Sequence, residues 1–248
     1  MMVRQGMSRF GEGVARRCMI LMMMLLAVAL LIVPATPVAA QDEVDSLPPI
    51  NEFASARFDL LTTVRVGDEQ ISSYGQGSTI LPDRVAVWVS VDDGIVVYLI
   101  QIGTVVYIND GTTWERTDTP PPADVEPVTV GDQVAELNDV ATAILRVGDA
   151  VVRDVPTTHY QVWTTGSRLL DVEGDLGLPT EERELIEQAI IKYDLWIGQE
   201  DGFLHQQNAV VSFPETEIEG EVFPVSEVST LTTYYNFNDP TISIEAPI

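Results

Sequence analysis

The chain has 248 residues, of which 38 are acidic and 13 basic, for a net charge of −25 at pH 7. A field of that sign repels nucleic-acid phosphates and anionic lipid surfaces, so neither is expected as an electrostatic partner, and the acidic surface keeps an exported chain soluble. The single cysteine, Cys18, stands in the first forty residues, so the rest of the chain offers no disulfide, no thiolate metal site and no cysteine nucleophile.

Residues 1–40 carry Arg4, Arg9, Arg16 and Arg17, then an apolar run from Cys18 to Val33, then Pro34 and the small-residue end Val38-Ala39-Ala40. This is the pattern of a secretory signal peptide cut after Ala40, and the run is shorter than the roughly 20 residues a spanning helix needs. Retention of the segment as an anchor is the alternative. Cys18 opens the apolar run rather than following it, which argues against lipid attachment there. The expected location is periplasmic or extracellular. Cleavage would leave nine basic and 37 acidic side chains.

Residues 41–52, acidic and ending near Pro48-Pro49, read as a flexible leader, and residues 53–248 as one domain. From Phe53 onward Phe58, Leu60, Thr62, Val64 and Val66 alternate with Arg57, Asp59, Thr63 and Arg65, the period of a half-buried strand. A turn at Gly67-Asp68-Glu69-Gln70 leads into a more polar strand, Ile71 to Ile80, where Gly75 and Gly77 imply a bulge or bend. Arg84–Trp114 then reads as a β-meander with turns at Asp92-Asp93-Gly94, Gly103 and Asn109-Asp110-Gly111. Its strands are apolar at nearly every position, which predicts cover on both faces by chain or by ligand.

A stiff connector, Thr117–Pro127, precedes an amphipathic helix from Asp132 to Leu145, with Val134, Leu137, Ala141, Ile144 and Leu145 on one side. Strands follow around Ala150–Val152 and Thr157–Trp163, and a second helix is predicted over Thr180–Ile191 with Leu185, Ile186, Ala189 and Ile190 as its apolar stripe. Lys192–Ile197 and Phe203–Phe213 form a hairpin about the turn Gln199–Gly202, and Val222–Leu231 and Thr232–Phe237 read as the last two strands. The count is about ten strands in hairpin order and two helices, an α+β arrangement with an antiparallel sheet folded around the helices.

Catalytic constellations are thin. His159 and His205 lack motif partners and read as structural, and there is no nucleophile elbow, phosphate loop or dinucleotide fingerprint. Asp171-x-Glu173-x-Asp175 with Glu182 has calcium-loop spacing, but Leu176 stands where glycine is needed. No catalytic residue, metal or cofactor is therefore assigned, and the chain does not read as an enzyme.

The order of elements, with Tyr107-x-x-Asp-Gly-x-x-Trp114, Val155-Pro-Thr-Thr-His-Tyr160 and Asp194-Leu-Trp-Ile197 leading into the Gly202 hairpin, resembles the LolA-like and LppX/LprG-like superfamily of exported lipid and lipoprotein carriers. The resemblance implies a curved antiparallel β half-barrel of about eleven strands, helices covering its concave face, and an apolar cavity between them for a lipid or acyl chain. It also implies a membrane-protein donor or acceptor and no catalytic residues. A monomer is expected. On this reading the cavity is lined by Val85, Val87, Val89, Tyr98, Ile100 and Tyr107 from the meander, and by Leu137, Ala141, Ile144, Leu185 and Ala189 from the helices. The opposite phase of each strand stays open, because the runs are apolar throughout. The alternatives are an envelope interaction or sensor module with a dry core, and a secreted hydrolase working through paired carboxylates.

Overall fold

The structure is a computed structural model that describes residues 42–91, 94, 96–118, 130–173, 180–218 and 221–247. The chain divides into two units, 1–30 and 31–248, and the fold belongs to the second. The signal segment, most of the connector after Asp118, the turn at Asp92-Asp93 and the stretch from Gly174 to Pro179 lie outside the described residues.

Fourteen strands and three helices are described. In chain order they are β1 (Asp42–Glu43), β2 (Ser55–Val66), β3 (Glu69–Ile80), β4 (Arg84–Val91), β5 (Val96–Ile102), β6 (Val105–Asn109), β7 (Trp114–Asp118), α1 (Val130–Val140), β8 (Ala143–Val152) and β9 (Val155–Thr165). There follow α2 (Gly166–Glu173), α3 (Thr180–Glu187), β10 (Ile190–Gly198), β11 (Leu204–Phe213), β12 (Thr216–Ile218), β13 (Glu221–Phe223) and β14 (Ser226–Tyr235). Twelve strands form one open antiparallel sheet in the order β1-β8-β9-β10-β11-β14-β2-β3-β4-β5-β6-β7, and β12 and β13 make a separate small hairpin. This is the curved half-barrel expected, with helices on one face.

Alternation assigns each side chain to one of two faces. Leu195, Gln207, Thr232, Leu60, Gly75, Val89 and Val97 are successive partners from β10 through β11, β14, β2, β3 and β4 to β5, and share the face on which the helices pack. That face is fixed by α1, whose buried row is Val130, Val134, Leu137 and Val140, and by Thr164 of β9, whose hydroxyl donates to the Val140 carbonyl at 2.6 Å. Val162 and Leu195 are fully buried there. The opposite face carries Trp196, Gln206, Thr233, Asp59, Gln76, Trp88, Tyr98 and Asn109 in one row.

Several elements differ from expectation. The first helix ends at Val140, because Thr142 donates its N–H to the Trp163 carbonyl at 2.7 Å and the run Ala143–Val152 joins the sheet as β8. Ile144 and Leu145 are therefore strand residues. The third helix likewise ends at Glu187, since the β-branched pair Ile190-Ile191 opens β10. The sequence pattern missed α2, although Thr165 caps it by accepting from the Arg168 N–H at 3.3 Å. Its Gly166 admits the Ile186 backbone so closely that no Cβ would fit. Val222–Phe237 divides at another place than expected: Val222 and Phe223 end β13, and Ser226–Tyr235 run as the single strand β14 without a break at Leu231. The segment read as a flexible leader is tied down: β1 pairs with β8, Leu47 is 4% exposed, and the Leu47 N–H donates to Asn138 at 2.8 Å.

The meander was expected to be covered on both faces, but only Val87 and Tyr107 among its described side chains are buried. Double burial falls instead on β10, where every residue from Tyr193 to Gly198 is buried. Strand β10 lies inside the sheet near the helices, whereas β4–β7 run out to an edge.

Gly75 and Gly77 carry no bulge, since β3 pairs without a register shift on both sides. They admit close approach: a Cβ would lie 2.7 Å from the Trp88 carbonyl oxygen at Gly75, and 2.5 Å from that of Ala86 at Gly77, where it would also strike the Phe58 ring. Gly77→Ala is expected to destabilise the fold by about 1–3 kcal/mol through this overlap, read as a lower denaturant midpoint at unchanged slope.

Candidate functional site

On the helix face, the pairings Val85 with Gln101, Val87 with Leu99 and Val89 with Val97 continue to Leu99 with Ile108 and Gln101 with Val106. The result is an aliphatic wall across β4–β6 in which Val87 is buried and Val85, Val89, Val97, Leu99, Val106 and Ile108 are half-buried. Beside it β3 presents Gly75 and Gly77, opposite Leu60 and Phe58 of β2, with Thr79 next to Val85. The glycines leave their place to the Phe58 ring and to the Val87 and Val89 side chains.

Further along the same face, β14 and β11 turn polar. Thr62 donates to Thr230 at 3.2 Å, and Gln207 donates to the Tyr234 hydroxyl at 2.9 Å. Burial pushes the Tyr234 phenol far above its ordinary value. Gln207 Oε1 and Thr232 Oγ1 are buried and have no partner among the described residues.

The residues expected to line one cavity are divided by the register. Val85, Val87 and Val89 belong to the aliphatic wall, whereas Tyr98, Ile100 and Tyr107 face the other way, with Tyr98 beside Trp88 and Ile100 beside Ala86 and Tyr107. Leu137 is buried in α1, and Ile144 is buried on the helix face of β8. Ala141 follows the end of α1, bonded to Leu137, while Leu185 is half-buried on α3. Ala189 follows α3, and its carbonyl accepts from Gly166 at 2.9 Å. These helix-linked residues belong to the β8–β9 flank, where α2 packs against β9. Sequence reading missed Val97, Leu99, Val106 and Ile108, because runs apolar at nearly every position leave the phase of each strand open.

The opposite face holds the buried Asp194 network. Asp194, 1% exposed, accepts from Gln161 at 3.0 Å and Asn208 at 3.0 Å, lies 3.0 Å from the Lys192 ammonium and shares a 2.8 Å hydrogen bond with His159 Nε2. His159 is stacked on Trp196 with ring centres 4.0 Å apart. Burial by itself would raise the Asp194 carboxyl, but the bonds from His159 and Gln161 and the charge of Lys192 prevail and hold it below the usual carboxylate range. His205 meets Asp201 at 2.9 Å, and Asp201 also accepts from Phe203, which ties this histidine to the hairpin turn. Asp171 and Glu173, from the calcium-like string, lie within α2 rather than in an open loop.

Two open cavities lie on this face and meet at Trp88. One, of about 360 Å³, is lined by Arg57, Gln76, Trp88, Tyr98, Ile100 and Trp114 among others; the second, of about 540 Å³, by Leu61, Ser72, Tyr74, Trp88 and Ser90.

Neither a known family pattern nor a curated protein sequence matches this chain. Solved structures do. The lipoprotein LppX of Mycobacterium tuberculosis is similar at 13% identity and a TM-score of 0.48, over 78% of this chain and 90% of that one. LprF of Mycobacterium bovis is similar at 10% identity and 0.43, over 79% and 90%. A putative outer membrane lipoprotein-sorting protein domain from Vibrio parahaemolyticus is similar at 6% identity and 0.24, over 77% and 87%.

Because its native carboxyl is lowered, Asp194 contributes stability that is whole above its unfolded value, about pH 4, and is lost as pH falls through the lower folded value. Asp194→Asn removes that contribution. The gap in unfolding free energy between the native protein and this variant is therefore expected to shrink below about pH 4, which urea titrations at stepped pH would measure.

Proposed function

We propose that this protein binds the apolar chain of a lipid or acylated ligand on the helix face of its half-barrel and acts as a non-catalytic carrier outside the cytoplasm. The observation that carries the reading is the aliphatic wall. Val85, Val89, Val97, Leu99, Val106 and Ile108 stay half-buried on the helix face, while the same face is closely buried across β9–β14. Covering such a surface yields about 25 cal/mol per Å² of apolar area removed from water, offset by the ordering of the chain that covers it.

Two further features support the reading. Gly75 and Gly77 let the Phe58 ring and the Val87 and Val89 side chains close over β3, so the apolar wall continues from β4 to β2. Gln207 and Thr232, whose Oε1 and Oγ1 have no partner among the described residues, stand in the register row of Leu60, Gly75 and Val89, so the face joins an apolar stretch to polar groups, as an amphiphile would require. The amino-terminal segment, read as a secretory signal, supports a site of action beyond the membrane. A membrane protein would then supply or receive the ligand.

Mass spectrometry of an organic extract of the purified protein is expected to find a co-purifying lipid. Val87→Glu, which sets a charge in the wall, is expected to reduce uptake of a fluorescent fatty acid at least tenfold while leaving the melting transition cooperative. Unchanged uptake by Val87→Glu, or an extract free of lipid together with no uptake, would overturn the carrier reading.

A further inference from the structure

We propose that the sheet face opposite the helices carries a second site, a groove that binds a neutral glycan chain by stacking sugar rings on Trp88, Tyr98 and Trp114. The site is independent of the lipid reading, because these side chains point away from the aliphatic wall.

The register sets the platform. Trp88 on β4 pairs with Tyr98 on β5, Tyr98 with Asn109 on β6, and Asn109 with Trp114 on β7. With adjacent strands about 4.8 Å apart, the first two rings are neighbours and the third lies about 14 Å from Trp88. This row crosses the strands in steps comparable to the repeat of a sugar chain. Tyr98 is 45% exposed, and Tyr74, packed edge-on to Trp88 with ring centres 5.7 Å apart, is 41% exposed. Exposed rings in a row are costly to leave in water, and their negative faces attract the polarised C–H bonds on the apolar side of a sugar.

Polar groups are interleaved with the rings. Gln76, Asn109, Ser78 and Ser90 flank them on the same face, and Gln76 is held by a 2.9 Å bond to Asp59. Asp59 is paired in turn with Arg153, whose guanidinium stacks 4.0 Å over the Tyr235 ring. An acyl chain laid here would strip water from amides and hydroxyls without replacing their hydrogen bonds, whereas sugar hydroxyls replace them. The two cavities, about 360 and 540 Å³, both reach Trp88. Charge selects further: among the described residues Arg57 is the one charged group lining either cavity, within a chain of net charge −25 that repels polyanions. A neutral glycan fits both facts. A free polysaccharide and the headgroup of a glycolipid present the same chemistry.

The test is calorimetric titration of the full mature chain with hexaoses of β-1,4-glucose, α-1,4-glucose, β-1,4-mannose and β-1,4-N-acetylglucosamine. A parallel arm uses flotation with phosphatidylcholine vesicles that contain or lack a digalactosyl lipid. Binding of at least one hexaose indicates a soluble chain, and binding only to the digalactosyl vesicles indicates a membrane-borne headgroup; either supports the groove. Trp88→Ala is expected to weaken binding about tenfold or more, and Trp88→Phe to retain most of it. The proposal is overturned if no probe binds at about 1 mM, or if Trp88→Ala and Tyr98→Ala bind as the native protein does. It is equally overturned if Trp88→Ala abolishes fatty-acid uptake, since the groove would then belong to the lipid site.

Discussion

Pairing of the last strand with the first long one, β14 with β2, is the constraint on which the rest of the structure depends. The ladder runs from Ser226 opposite Val66 to Tyr235 opposite Arg57, and it joins the β8–β11 meander to the β2–β7 meander. Without it the protein would be two sheets with separate faces. With it, alternation is continuous from β10 to β7, and the chemistry of each face becomes a property of the whole sheet. The buried Thr62–Thr230 hydrogen bond crosses this seam, and Tyr234 and Phe58 pack across it with ring centres 6.2 Å apart.

Continuity of register also gives the one sheet two chemically different faces. The helix face is aliphatic over β4–β6, stripped of side chains at Gly75 and Gly77, and polar at Gln207 and Thr232. The opposite face is aromatic over β4–β7 and passes through Gln76 and Asp59 to the buried Asp194 network on β10. Each strand of the meander contributes to both. Val85, Val87, Val89, Val97, Leu99, Val106 and Ile108 lie on the helix face, and the rings of Trp88, Tyr98 and Trp114 face away.

Burial follows position in the sheet rather than the hydrophobicity of a strand. Strand β10 contains Lys192 and Asp194 and is more deeply buried than the wholly apolar stretches of β4 and β5. It can be so because Asp194 receives His159, Gln161, Asn208 and Lys192. A satisfied carboxylate tolerates the interior, and an unsatisfied one does not.

Local pattern determined much of this protein. The alternation in β2, the hairpin about Gly202, the antiparallel class and the strand order of the meander all follow from short-range periodicity and turn residues, which act within a few residues of each other. The end of α1, the short helix α2 and the docking of Asp42–Glu43 on β8 did not, because each is decided by a partner distant in sequence: Trp163 for Thr142, the Ile186 backbone for Gly166, β8 for β1. The site divides in the same way. Apolar and aromatic residues in Arg84–Trp114 were identifiable from the sequence, but runs apolar at every position carry no phase of their own. Only tertiary pairing, passed from β2 through β3 to β4 and β5, decided that Val87 and Leu99 stand on one face and Trp88 and Tyr98 on the other.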